Sequence, residues 1–277
     1  MSALLRCQAC GGSIVWDASC SNAACLYCGT VALQIEAGAD IPSPEVYLVP
    51  DVSADAAEAS FRTWAGGSWF RPKALRDAEV ELSLMLIPAW RFHARLETHW
   101  AGLESAATRS GHRPVSGLEH ADLTHLVVAS SGLSQAELAT LLPFEEEGAL
   151  VWEGRGEGDG LDQVAWEPPA LTRRGARAEA HAGLADRHRR QIARAQGLDR
   201  VRVAPLIEDR DVRLMMVPIY IGAFRHDDRP WRVVINAQSG KVVGEAPVDW
   251  RKVALVVGVA VALILAVLVF TQLGIQP

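Results

Sequence analysis

Two cysteine pairs hold the clearest chemistry in this 277-residue chain. Cys7-Gln8-Ala9-Cys10-Gly11 and Cys25-Leu26-Tyr27-Cys28-Gly29 share the form Cys-x-x-Cys-Gly, with fourteen residues between the pairs. Knuckles of this form place four thiolates around one zinc ion, each Gly letting the backbone turn and aim its amides at the sulfurs. Four ligands, Cys7, Cys10, Cys25 and Cys28, close the tetrahedron and leave no position for a reacting water. The expected Zn2+ is therefore structural and hydrolyses nothing. Unliganded reduced cysteines are the alternative. Cys20 can form a looser Cys-x4-Cys hook with Cys25 but lacks the following Gly, and it is placed outside the ligand set.

A second group, Glu119-His120-x-Asp122-x-x-His125, puts several potential ligands into seven residues. Its spacing fits neither a helical His-x3-His pair nor a hydrolase motif, and polar residues also cap turns before apolar strands. His93 and His99 fall on the same side of a strand by their even spacing. No Ser, Cys or carboxylate pair has a recognisable partner, so a non-enzyme is expected. A metal-dependent enzyme centred on His120 and His125 is a minor alternative.

These groups need elements to position them. Short β-type runs at Ile14 to Trp16 and Val31 to Ile35 flank the knuckles, giving a ribbon over 1–37 that depends on its metal. After a Pro-rich linker at 41–50, Ser53 caps a helix to about Trp64, closed by Gly66-Gly67. Trp69-Phe70-Arg71-Pro72 turns into a second helical piece, Lys73 to Leu84. An internal echo follows: Leu84-Met-Leu-Ile-Pro-Ala-Trp90 recurs as Leu214-Met-Met-Val-Pro-Ile-Tyr220. The same offset brings Trp100 near Trp231 and Arg113 to Gly117 near Lys241 to Gly244. Two related β-units are expected, the first with its helix over 38–143 and the second, a three-stranded meander, over 206–249. Between them lie a strand at Leu126 to Ser130 and a helix from Gln135 to Leu142 with a Ser134/Glu137 capping box. An acidic Gly-rich stretch, Glu145 to Asp162, reads as a mobile loop, and an Arg-rich helix ends at Gly197; together these occupy 144–205. That helix region, Leu171 to Arg200, holds eight Arg against three acids. Most of the nine Trp, including Trp64, Trp69, Trp90, Trp100 and Trp231, are expected to anchor the core.

Val253 to Phe270 is an unbroken apolar run, and no charge follows Lys252. The run meets the roughly 20 residues a helix needs to cross a bilayer, so 250–275 reads as a transmembrane helix, with Trp250, Arg251 and Lys252 as interfacial aromatic and snorkelling cations. Met1 to Arg6 is too short for the apolar core of a signal peptide. Arg251 and Lys252 are the charges adjoining the span, which keeps its N-terminal side in the cytoplasm, in agreement with reduced, odd-numbered cysteines.

With these pieces in place the chain resembles a bacterial family of small membrane proteins with a transcription-factor-IIB-type zinc ribbon and a C-terminal membrane helix, of uncharacterised function. The matching motifs are the two knuckles, Trp69-Phe-Arg-Pro72, Ile87-Pro-Ala-Trp90, Val217-Pro-Ile-Tyr220, and Val234-Ile-Asn-Ala-Gln-Ser-Gly-Lys-Val242 with Gly244 and Pro247. The resemblance implies architecture and membrane placement, not an activity. Cys20 and the long glycine loop depart from it.

Through Asp51 the only basic residue is Arg6, against five acids, and the net charge is -6. That disfavours nucleic acid as a partner. The expected whole is an α+β protein of the inner membrane, tail-anchored, with a cytoplasmic zinc ribbon and two related β-units, acting as a non-catalytic adaptor for a protein partner. A membrane-tethered, nucleic-acid-associated factor using the ribbon and the Arg helix is the alternative.

Overall fold

The computed structural model describes residues 2–17, 25–28, 30–31, 33–36, 42–104, 113–154, 160–161, 164–227 and 229–272. In chain order these form β1 (Ser2–Cys7), β2 (Ser13–Asp17), β3 (Leu33–Glu36), β4 (Val46–Tyr47), α1 (Ala54–Gly66), β5 (Glu81–Glu104), β6 (Arg113–Val128), α2 (Gln135–Leu141), β7 (Leu150–Val151), β8 (Ala165–Trp166), α3 (Arg173–Gln196), β9 (Leu198–His226), β10 (Arg229–Asn236), β11 (Val242–Gly244) and α4 (Trp250–Gln272). The class is α+β, with every strand joined into one sheet. The helix signals act as their chemistry requires. Ser53 Oγ accepts the Ala56 N–H, Thr172 Oγ1 accepts the Gly175 N–H, and Ser134 with Glu137 completes a reciprocal capping box. Gly197 closes α3 in the left-handed conformation at φ 63°, where a Cβ would be strained.

The echoed segments pair with each other. Antiparallel β5 and β9 match Leu84 to Tyr220 and Leu86 to Pro218, so Ile87 lies opposite Val217, its own counterpart. A local two-fold axis therefore passes through the centre of the sheet. Its equivalences extend well beyond the echo. β4 pairs in parallel with β9 at Met215 and Met216, and β8 pairs in parallel with β5 at Met85 and Leu86. Trp90 Nε1 donates to the Leu171 carbonyl at 2.7 Å, and Tyr220 Oη donates to the Val52 carbonyl at 2.8 Å. Each unit is a short strand, a helix, a long strand and a return strand. Each helix covers the other unit's hairpin: α1 packs Ala57, Phe61 and Ala65 on Tyr220, Phe224, Val233 and Ile235, while α3 packs Ala176 and Ala180 on Trp90, Phe92 and Val127.

The fixed-offset matches outside the echo fail, because the hairpins differ in length. Trp100 lies on the outgoing strand β5 and Trp231 on the return strand β10, and Arg113 to Gly117 begin β6 whereas Val242–Gly244 is a third strand. The true counterpart of Val127-Val-Ala-Ser-Ser-Gly132 is Ile235-Asn-Ala-Gln-Ser-Gly240. Ala129 N–H donates to the Pro88 carbonyl as Ala237 N–H donates to that of Pro218, at 2.9 and 3.1 Å.

Lys73 to Leu84 is not a helix. Only Lys73–Asp77 turns, as a 3-10 stretch burying Leu75, and strand begins at Glu81. Val80, Leu82 and Leu84 alternate onto the α1 core, so period-two burial and pairing with β9 override the local preference for helix. α3 ends at Gly197 as expected, and directly after it, ahead of the expected start of the second β-unit at 206, β9 begins at Leu198. It holds its inward face through a bulge at Arg210: His93 pairs Asp211 and Ala94 pairs Asp209, so Val212 and Leu214 on one side and Val203 and Ile207 on the other all reach the α3 layer. The opposite face of the sheet, with Met85, Ile87, Met215, Val217 and Ile219, packs against α2 and the N-terminal strands. The expected mobile loop is tethered at both ends. Leu150–Val151 pairs with β4, Leu161 is buried, and Trp152 meets Trp166 edge-on at 5.2 Å.

Candidate metal centre

β1 runs into the first cysteine pair and pairs with both β2 and β3. The first knuckle is a backbone turn in which Gly11 N–H donates to the Cys7 carbonyl and Cys7 N–H to that of Gly12, both at 2.9 Å. Gly11 sits at φ 77°, a conformation that explains the glycine of the Cys-x-x-Cys-Gly form. In the second knuckle Cys25 N–H donates to the Thr30 carbonyl at 2.7 Å. Together the turns bring the sulfurs of Cys7, Cys10, Cys25 and Cys28 within 4.8 Å of one another, with Cys7 to Cys28 and Cys10 to Cys25 each 3.7 Å apart. Four sulfurs at about 2.3 Å from a tetrahedral metal lie about 3.8 Å from each other. The spacing fits a metal ion. Cys20 lies outside the described residues, as do Gly29 and part of the run expected at Val31 to Ile35; strand there covers Leu33–Glu36.

The thiols are unlike one another without a metal. Burial raises Cys7, but the amides of Cys10 and Ala9 and the Thr30 hydroxyl more than offset it, to about 6. Burial pushes Cys25 and Cys10 up. Four mutually close thiols cannot all ionise unless a cation compensates the charge, which is what a bound metal does.

The centre is fastened to the sheet through one buried carboxylate. Glu167, fully buried, follows β8 on the strand edge that leads to β2. Tyr27, inside the second knuckle, donates its hydroxyl to Glu167 Oε2, as does Ser130. The Ser131 amide and hydroxyl each donate to Oε1 at 2.6 Å. Four donors fill one acceptor group, and burial beside that carboxylate raises Tyr27 well above the usual phenol value. The Tyr27 ring lies where side chains at Gly132 and Gly12 would stand, so glycine at both positions lets knuckle and sheet close together. Glu167 is the residue the sequence did not flag; the only signal was an acid alone between Trp166 and Pro168.

The other sequence candidates are separated. Strand alternation puts His120 in the open, with Nε2 3.5 Å from Glu97 Oε2, while His125 faces α3 against Gly183. They lie on opposite faces of β6 and cannot share a metal, and among the described residues the four cysteines are the one group placed to hold one. His93 and His99 do share a face; His93 Nδ1 lies 3.2 Å from Thr124 Oγ1. Four of the seven arginines of α3 have partners within the protein. Arg177 pairs with Asp209 at 2.8 Å, Arg189 and Arg190 hold Asp186, and Arg187 donates to the Thr124 carbonyl at 2.9 Å. Of the Trp set, Trp90 and Trp100 are buried but Trp69 is exposed.

Two histidines under α3 give the fold a pH dependence. His188 is buried with Nδ1 2.9 Å from Thr98 Oγ1, and burial lowers its basicity while Glu119 opposes the shift. Burial, then Arg187 and Arg190, lowers His125 as well. Both are depressed relative to an unfolded His near 6.5, so the unfolded chain takes up protons first as pH falls. Stability is therefore present above about pH 6.5 and is lost below it toward the depressed values. The thermal midpoint of purified protein is expected to fall between pH 7 and 5.5, and less so in His188→Gln.

No family model, curated protein or solved structure matches this chain.

Proposed function

We propose that the protein is a membrane-held, cytoplasm-facing zinc-ribbon adaptor that binds a protein partner and catalyses nothing. The observation behind this reading is the closed set of four sulfurs seated on the sheet through Tyr27 and Glu167. Zinc in such a site has no open position, so its contribution is to shape a surface. The ribbon resembles those of the transcription-factor-IIB type in its knuckles. α4 supports the membrane assignment: it is long and apolar enough to cross a bilayer, and none of its window packs inside the protein. Arg251 and Lys252 at its start favour the cytoplasm for the folded body. The nucleic-acid alternative is the less favoured reading, since four of the seven α3 arginines pair with Asp209, Asp186 or the Thr124 carbonyl.

The test is a cross-linked pull-down from detergent-solubilised membranes, comparing the intact chain with a Cys25→Ser, Cys28→Ser variant that still inserts. The expected result is one defined protein partner, lost with the zinc. Nucleic acid co-purifying at low salt and released steeply by added salt would instead support the alternative, because phosphate contacts release counterions.

A further inference from the structure

The turn between α1 and the 3-10 stretch leaves two large aromatic side chains in the open. Trp69 is 56% exposed and Phe70 41%, with their rings meeting edge to face at 5.3 Å. Burying the apolar surface that these rings leave in water would be favourable. Yet the turn is firmly held. On its inner side Arg71 donates to the Trp64 carbonyl and lies 4.1 Å over the Trp64 ring.

On its outer side the turn is joined to the start of α4. Asp249 N–H donates to the Phe70 carbonyl at 2.8 Å, and Lys252 Nζ donates to the Arg71 carbonyl at 2.7 Å. The same ammonium lies 5.8 Å from the Trp69 ring centre and 3.3 Å from Asp249 Oδ2. Lys252 is thus no free snorkelling cation; its side chain is only 18% exposed and is committed to the turn.

Position then follows from the helix. Lys252 immediately precedes the charge-free run, and each helical residue advances about 1.5 Å. The polar layer of a bilayer leaflet is about 5–8 Å thick. Groups bonded to Lys252 therefore lie within that layer when α4 spans. Exposed Val248, Trp250 and Arg251 adjoin the same point in the chain, and exposed Lys73 follows the turn. Aromatic rings beside cations match the chemistry of the lipid–water boundary.

We propose that the Trp69–Phe70 turn is a second membrane contact, its rings seated at the headgroup–acyl boundary beside the first turn of α4, so that the folded body stands on the bilayer at a fixed angle. This rests on the reading of α4 as a span. The full chain would be reconstituted in vesicles of phosphatidylcholine and phosphatidylglycerol, with a benzophenone amino acid in place of Phe70, Leu206 or Leu265, and lipid adducts counted by mass spectrometry after illumination. Leu206 is an exposed apolar control at 71% exposure on β9. The expected yield at position 70 is on the order of tenfold above that at 206 and comparable to that at 265. Adducts at 265 with none at 70 would overturn the second contact while leaving the span intact. No adducts at 265 would overturn both.

Discussion

Cys25→Ser is expected to lower the zinc content of chelator-free protein from about one equivalent per chain to near zero. The remaining three sulfurs cannot close the tetrahedron, and the strands around them have little core of their own. Hydrogen exchange should then show β1, β2 and β3 losing protection while β9 and β10 keep theirs. The cysteines pack on one face of the sheet, but the cores under α1 and α3 on the other face draw nothing from them, so β9 and β10 stay held there. Cys20→Ser should leave zinc content unchanged. Affinity should also weaken as pH falls, since each thiol must lose its proton before it can bind. Wild-type zinc content in Cys25→Ser would refute the ligand set.

Glu167→Ala is expected to destabilise the protein by about 3–5 kcal/mol, because it strands buried donors at once. Tyr27 and Ser130 lose their acceptor, and so do the Ser131 amide and hydroxyl. For a chain of this size that is a fall of roughly 10 °C in the thermal midpoint. Tyr27→Phe should cost much less, since Glu167 retains three donors. Its diagnostic effect is different: the metal stays bound while the cysteine strands become more open to protease. An unchanged midpoint in Glu167→Ala would mean that the carboxylate does not join the two parts.

What was legible in the sequence was local. The knuckles declare themselves because a metal site fixes both residue type and spacing, and two helices begin where Ser53 and Ser134 offer an oxygen to the free amides. The Pro-aromatic echo was visible, but not that its two copies would pair. Pairing depends on a two-fold relation that no linear offset expresses, and unequal hairpins hid the Ala129/Ala237 match from a single-offset comparison. Lys73 to Leu84 reads as a helix in the sequence because its alternation is short and its partner strand lies far down the chain. Glu167 was invisible for a related reason: its donors come from segments distant in sequence, and an isolated acid carries no spacing signal.

The exchange of helices between the units also constrains the order in which the chain can fold as it leaves the ribosome. α1 is made early, but the residues it covers, Tyr220, Phe224, Val233 and Ile235, are made late. β5 must likewise wait for β9 along its whole length. Neither half can close its own core in isolation, and contacts so remote in sequence form slowly. The body therefore completes its fold only once the chain just ahead of α4 has been synthesised. Until then, the long edge of β5 that β9 will cover stays open to solvent, and nascent chains are expected to need shielding until β9 emerges.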